Sequence, residues 1–117
     1  MAFNKDINYE HVNAIKELTA FSDDVVADWF NVTEKTFRAY KRPDSKFKGN
    51  VKEQVVLILS LIKHGIDVFG SSKNLHQWLE TKNFFLNYKA PVCFLNTITG
   101  VKYIDDRLTA IEYGDNV

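Results

Sequence analysis

The residue types that most often carry out chemistry in proteins are dispersed along this sequence. The histidines are His11, His64 and His76, and no two of them have the spacing that places two metal ligands on one face of a helix. Cys93 is the only cysteine, so the sequence has no zinc pattern and no disulfide within it. A metal-dependent or thiol-dependent reaction is therefore not indicated.

The acidic residues give no stronger sign of catalysis. Asp105 and Asp106 are adjacent, so on a helix their side chains diverge, and we expect solvated or helix-terminal charges. The sequence has neither a glycine-rich phosphate loop nor a Gly-x-Ser-x-Gly elbow. We predict no catalytic, cofactor-binding or metal-binding residue, no cofactor, and a protein that acts by binding.

The composition favours a helical globular protein. The 117 residues are 45% hydrophobic and include nine Phe, five Tyr and two Trp, enough for one core or two small packed subdomains. Most apolar residues recur at helical spacing, which predicts an all-α fold. The sequence shows no signal peptide and no apolar run of membrane-spanning length, and its lone thiol suits a reducing cytosol, so we expect a cytoplasmic protein with no membrane partner.

A net charge of zero conceals two segments of opposite charge. Residues 6–28 contain six acids and one lysine, a balance of −5, whereas residues 35–48 contain six bases and one acid, a balance of +5. Local charge decides which partner docks, and the basic segment indicates a nucleic-acid partner.

The basic segment begins inside a predicted pair of short helices. Ser22 is a suitable N-cap for the first helix, and Asn31 accepts the left-handed conformation that ends it. Thr33 then caps a second helix that runs towards Lys41, and Ala27 is small where the two helices cross. Two short helices joined by a tight turn follow the helix-turn-helix plan.

In such a motif the start of the second helix enters the major groove, and nearby cations contact phosphates. The residues predicted to bind DNA are Thr33, Glu34, Lys35, Thr36, Arg38, Lys41 and Arg42. One motif with so few contacts binds weakly, so we expect a homodimer on a repeated operator half-site. The alternative interpretation is a solvated helix face followed by a lysine-rich surface loop.

The middle of the chain predicts one long helix. Asn50, with Glu53 three residues later, is the predicted N-cap, and the helix runs to about Val68 before Gly70. It is apolar on nearly all sides, which indicates burial on several faces. We expect this helix to connect the two halves of the protein.

The last part of the chain carries an ordered set of landmarks. A short helix bears Trp78 and Leu79, Pro91 opens a second short helix, Gly100 makes a break, and a last helix runs from about Val101 to a stop at Gly114. The further landmarks are Leu75, Leu95, Thr97, Leu108, Ile111 and Glu112.

This order resembles the toxin-binding domain of the Xre/MbcA/ParS-type antitoxins, including the Trp-Leu pair of its first helix. The resemblance implies an antitoxin that neutralises a RES-domain toxin, an NAD-degrading protein, by covering its active site. With the toxin, it implies repression of the antitoxin's own operon through an Xre-like helix-turn-helix. The implied layout is a DNA-binding part over residues 1–49, a central helix over 50–70 and a toxin-binding domain over 71–117.

The predicted toxin contacts lie in the loop before Pro91 and at the end of the last helix. They are Asn83, Asn87, Tyr88, Lys89, Arg107, Glu112, Tyr113, Gly114 and Asp115. An acidic tail beside Tyr113 is suited to imitate a phosphate and an aromatic base in the toxin's cleft. Two departures from the family stand out: the loop lacks the usual Asn-Pro and Gly-Gly-like turn, and the sequence stops three residues after Gly114.

Two other classes of function stay open on the sequence. One is a stand-alone helix-turn-helix transcriptional regulator whose C-terminal half only dimerises. The other is a structural adaptor whose basic segment serves solubility.

Overall fold

The computed structural model describes residues 7–114, which form an all-α fold, as predicted. The helices are α1 (Tyr9–Thr19), α2 (Asp23–Trp29), α3 (Glu34–Tyr40), α4 (Gly49–Phe69), α5 (Ser72–Glu80) and α6 (Ile98–Glu112). Two 3₁₀ helices, Phe84–Leu86 and Pro91–Phe94, lie between α5 and α6. No single helix among residues 7–114 is long and apolar enough to cross a membrane, and α4 with α5 reaches that length and composition only together, across a 106° bend.

The boundaries of α2 and α3 follow the predicted capping residues. Ser22 occupies the N-cap of α2, and Asn31 adopts a φ of 56° just beyond its end. The Thr33 hydroxyl accepts a hydrogen bond of 3.1 Å from the backbone N–H of Thr36, which opens α3. A turn of four residues therefore joins two seven-residue helices.

The long helix α4 begins two residues earlier than predicted. Lys48, not Asn50, is its N-cap, because the Lys48 carbonyl already accepts from the N–H groups of Val51 and Lys52 at 3.0 and 3.1 Å. Gly70 ends the helix with a φ of 85°, which a residue with a side chain adopts only under strain.

Helix α4 packs against α1, α5 and α6. The buried residues of both halves of the protein form one hydrophobic cluster, and α4 supplies six apolar members: Val51, Val55, Ile58, Leu59, Leu61 and Ile62. A Cβ atom on Gly65 would lie 2.4 Å from a methyl carbon of Leu75, so the glycine allows α5 to approach α4 closely. The two halves are therefore built on one core.

A buried side chain of α4 also joins the halves by hydrogen bonds. The Gln54 carboxamide donates to the carbonyl of Trp29 at 3.3 Å and to that of Leu95 at 3.0 Å. Beside it, the Asn31 side chain donates to the carbonyl of Asn96 at 2.8 Å. These contacts tie the turn after α2 to the segment before α6.

Helix α6 starts at Ile98, three residues before the predicted start. The Thr97 hydroxyl accepts a hydrogen bond of 2.9 Å from the Gly100 N–H and caps the helix. The predicted break at Gly100 is therefore wrong, since this glycine lies in the first turn of α6. Its small size matters for another reason: a Cβ atom here would lie 1.9 Å from the Phe94 carbonyl oxygen.

We predict that Gly100→Ala lowers the free energy of unfolding by about 1–3 kcal/mol, because backbone must move away from the added methyl group. Urea unfolding followed by circular dichroism measures the change. Gly49→Ala is the matched control, since nothing lies within 4 Å of a Cβ atom there. Equal stability of the two variants would contradict the close approach.

Candidate functional site

The loop between α5 and Pro91 is closed by hydrogen bonds around Asn83. This buried side chain accepts from the N–H of Phe85 at 2.9 Å, while its backbone carbonyl accepts from Tyr88 at 2.9 Å and its N–H donates to the Lys89 carbonyl at 3.0 Å. Leu86 is buried beneath the loop. Asn83, a predicted toxin contact, thus shapes the loop from inside.

The closed loop presents aromatic side chains to solvent. Phe84 is 69% exposed and Tyr88 66% exposed, and the Phe84 ring packs edge-on against both Phe85 and Tyr88, at 5.5 and 5.6 Å between centroids. Asn87 and Tyr88 both have positive φ, 55° and 61°, a conformation that strains residues other than glycine. Residues 83–89, hereafter the aromatic loop, therefore form an exposed apolar patch of the kind that binds other proteins.

Helix α6 contributes a cation to this patch. The Arg107 guanidinium lies over the Phe85 ring, 4.1 Å from its centroid. The structure thereby brings together two groups of predicted toxin contacts, the loop residues and Arg107. Phe84 and Phe85 lie within the loop Asn83 to Lys89 that is predicted to contact the toxin, although they were not named individually as contacts.

A cleft of about 530 Å³ runs beside the aromatic loop. The Phe69 and Trp78 rings pack against each other at 5.2 Å within it. Its lining, from the end of α4, α5 and the loop, consists of Phe69, Asn74, Gln77, Trp78, Thr81, Lys82, Asn83, Phe84 and Phe85. We refer to it below as the α5 cleft.

The end of α6 is held by an ionic cluster. His64 of α4 contacts Asp105 through Nδ1 at 2.7 Å and Glu112 through Nε2 at 3.1 Å. Asp105 is partly solvated, with a side chain 44% exposed, but it is also an ion-pair partner of His64, which was not predicted. Glu112, a predicted toxin contact, is engaged by the same histidine. Beyond it, Tyr113 is 84% exposed.

The remaining predicted toxin contacts are placed as follows. Asn87 and Lys89 are exposed in the aromatic loop, and Gly114 has a φ of 106° after the end of α6. Asp115 lies outside the described residues.

The two carboxylates favour the charged imidazolium of His64. The hydrogen bond to Asp105 is the main cause that raises the pKa of His64 above its ordinary value, the bond to Glu112 adds to it, and partial burial opposes it. Because the folded-state pKa is raised, this cluster stabilises the protein fully below the unfolded-state pKa. The contribution is lost as the pH rises through the folded-state pKa.

We predict that Asp105→Asn moves the pKa of His64 towards its ordinary value of about 6.5. The wild type should therefore exceed this variant in stability at about pH 5.5 by more than it does at about pH 9. An NMR titration of the imidazole and urea unfolding at both pH values measure the two effects. Asp106→Asn, the exposed neighbour, is the control and should shift neither; an unchanged His64 titration in Asp105→Asn would refute the assignment.

The predicted DNA-binding residues occupy α3 and its surroundings, where Lys41 has a structural partner. Its ammonium contacts both carboxylate oxygens of Asp23, at 2.8 and 2.9 Å, and lies 5.5 Å from the Phe37 ring centroid. Lys16 contacts the same carboxylate at 3.1 Å. The hydrogen bond from Lys41, with that from Lys16, lowers the pKa of Asp23 below its ordinary value. Lys41 therefore holds α3 against α2.

The other predicted DNA contacts are more accessible. Glu34 and Arg38 form an exposed ion pair of 3.0 Å along α3, and the Thr33 hydroxyl serves as its cap. The exposed residues at the start of α3 and beyond its end are Lys35, Thr36, Arg42, Lys46 and Lys48. Four of these five carry positive charge.

Among residues 7–114, no group of three or more His, Cys, Asp and Glu side chains is arranged to hold a metal ion. Cys93 is exposed as a free thiol. The surfaces described above, not an enclosed polar centre, are thus the candidate functional features.

Comparison with known proteins identifies the class of the C-terminal part. Residues 64–114 match the family described as the antitoxin Xre/MbcA/ParS C-terminal toxin-binding domain. This match confirms the resemblance inferred from the sequence, and it spans the aromatic loop, the α5 cleft, the His64 cluster and Arg107. No curated protein sequence matches the chain. The match supports an antitoxin role, a function of binding a toxin rather than of catalysis.

Proposed function

We propose that this protein is the antitoxin of a type II toxin–antitoxin pair whose toxin is a RES-domain protein that degrades NAD. The match of residues 64–114 to an antitoxin toxin-binding domain carries the proposal. The toxin identity follows from the family resemblance of the sequence. The pair would act in the cytoplasm, where NAD is the substrate to be protected.

Neutralisation proceeds by covering the toxin's active site. The features that suit this role are the exposed aromatic loop, Arg107 beside it, and the exposed Tyr113 after α6. They lie within the matched segment and offer apolar and basic contacts on one domain. Such a surface binds a folded partner without chemistry of its own.

We predict that co-expression of this protein with the RES-domain protein of its operon restores growth and cellular NAD, and that the two purify together. NAD assays and affinity pull-down from the same cells measure these outcomes. The matched control is a Lys35→Ala/Arg42→Ala variant, which alters only the basic side of the N-terminal part and should neutralise equally well. Continued NAD loss without a complex would instead favour a stand-alone regulator whose C-terminal half only dimerises.

We further propose that α2, its turn and α3 bind operator DNA as a helix-turn-helix, and that a homodimer in complex with the toxin represses the operon. Lys35, Thr36 and Arg42 are exposed and suited to contact DNA. Arg38 could also do so by giving up its weak surface ion pair with Glu34 for a phosphate. Lys41 has the different role of securing α3 through Asp23. The basic loop after α3 adds cations for phosphates.

We predict that Lys35→Ala/Arg42→Ala lowers the affinity of the antitoxin–toxin complex for its promoter DNA, and reduces the slope of log K against log salt by about 2. Fluorescence anisotropy over a salt series measures both quantities. Lys63→Ala/Lys102→Ala removes two exposed lysines of α4 and α6 and should leave binding unchanged. Equal affinity and slope in both variants would favour an adaptor with no DNA role.

A further inference from the structure

We propose that the α5 cleft is the anchor site for an acidic segment of the toxin that inserts an apolar side chain. This inference rests on the proposed function and specifies which surface and which chemistry achieve the binding. It assigns contacts to Trp78 and Lys82, beyond the residues predicted from the sequence, and gives Phe84 and Phe85 of the predicted loop a specific role.

The size and lining of the cleft suit an apolar side chain. Its volume of about 530 Å³ lies in the range of protein pockets that enclose a ligand. The packed Phe69 and Trp78 rings supply an aromatic wall, and Phe84 and Phe85 also line the cleft. An inserted side chain would cover Phe84, whose present exposure of 69% leaves most of its apolar surface in water.

Trp78 adds a hydrogen-bond donor to this wall. The residue is 7% exposed, and its buried Nε1 has no hydrogen-bond acceptor among the described residues. A buried donor left in this condition costs about 1–3 kcal/mol. A carbonyl or carboxylate of the inserted segment that reaches Nε1 would remove that cost.

The charge around the cleft selects an acidic partner. Residues 81–91 include Lys82 and Lys89 and no acid, and Arg107 lies over the Phe85 ring. Glu80, the acid that precedes this segment, contacts His76 at 2.9 Å. Lys82 therefore lines the cleft, and Lys89 and Arg107 add positive charge at the aromatic loop beside it, which favours acids flanking the inserted apolar residue.

The toxin is the occupant that the position of the cleft favours. All nine lining residues lie within residues 64–114, the segment that matches a toxin-binding domain. The predicted DNA-binding residues lie outside this segment, so the cleft can be filled while DNA is bound.

Calorimetric titration of the purified antitoxin with the RES-domain protein of its operon tests the inference. Phe84→Ser should raise Kd roughly 10–100-fold, as loss of a central aromatic contact does. Lys82→Glu/Lys89→Glu should raise Kd by at least about tenfold, with a smaller effect at high salt. Trp78→Phe keeps an aromatic ring and removes the donor, so affinity should fall, while removal of the unsatisfied donor offsets part of the stability lost with the smaller ring.

The matched controls are Tyr103→Ser and Lys102→Glu, since both residues are exposed on α6 outside the cleft lining. Each should leave Kd within about twofold of wild type. A further variant that lacks residues 114–117 tests whether the tail, rather than the cleft, carries the affinity.

The inference is supported if the wild type binds the toxin, Phe84→Ser and Lys82→Glu/Lys89→Glu weaken that binding, and the control variants bind as the wild type does. If the wild type binds and only the tail deletion weakens binding, the inference about the cleft is overturned and the proposed function stands. If Phe84→Ser leaves the Kd for the toxin unchanged but dissociates a homodimer in light scattering, the cleft binds a second copy of this chain. That result would also overturn the inference. No wild-type binding would remove the proposed function and this inference together.

Discussion

The arrangement of the helices depends on hydrogen bonds that α4 donates to backbone carbonyls in both halves of the protein. Its Gln54 carboxamide is buried and donates to the carbonyls of Trp29 and Leu95, one from each half of the protein. A buried carbonyl left without a donor costs about 1–3 kcal/mol. Because one side chain serves a carbonyl from each half, moving either half away from Gln54 would incur this cost. Hydrophobic contacts along α4 supply most of the stabilisation, but they are not directional. The hydrogen bonds of Gln54 set the position of the helices around it.

This constraint has a consequence for the two proposed binding surfaces. Trp29 ends α2, immediately before the turn to α3, and Leu95 lies just before α6. The bond from Asn31 to the Asn96 carbonyl reinforces the same junction. Because the core is also continuous through both halves, the proposed DNA-binding and toxin-binding surfaces are held in one arrangement. A fixed arrangement suits a protein proposed to bind both partners in one complex.

The sequence predicted those features that depend on neighbouring residues and missed those that depend on distant ones. Thr33, Asn31 and Gly70 act locally as caps and stops, and their roles were predictable. The position of Gly100 inside α6 was not predictable, because it depends on the cap by Thr97 and on the close approach of the Phe94 carbonyl. The His64 cluster was hidden as well, since its partners lie 41 and 48 residues away. For the aromatic loop, residue type alone does not distinguish the exposed Phe84 from a core phenylalanine.

Local hydrogen bonds and backbone angles hold the aromatic loop in a conformation in which Phe84 is exposed. Ordinary collapse would bury Phe84, yet the bonds of Asn83 and the positive φ of Asn87 and Tyr88 hold the loop in a shape that turns it outward. Cations border this apolar surface, whereas the acids near the end of α6 are partly neutralised by His64. Protonation of His64 offsets the negative charge of these acids, and because the pKa of His64 is raised, the offset is lost only as the pH rises through that raised value. The His64 cluster thus affects both the attachment of α6 and the electrostatics of the surface beside it.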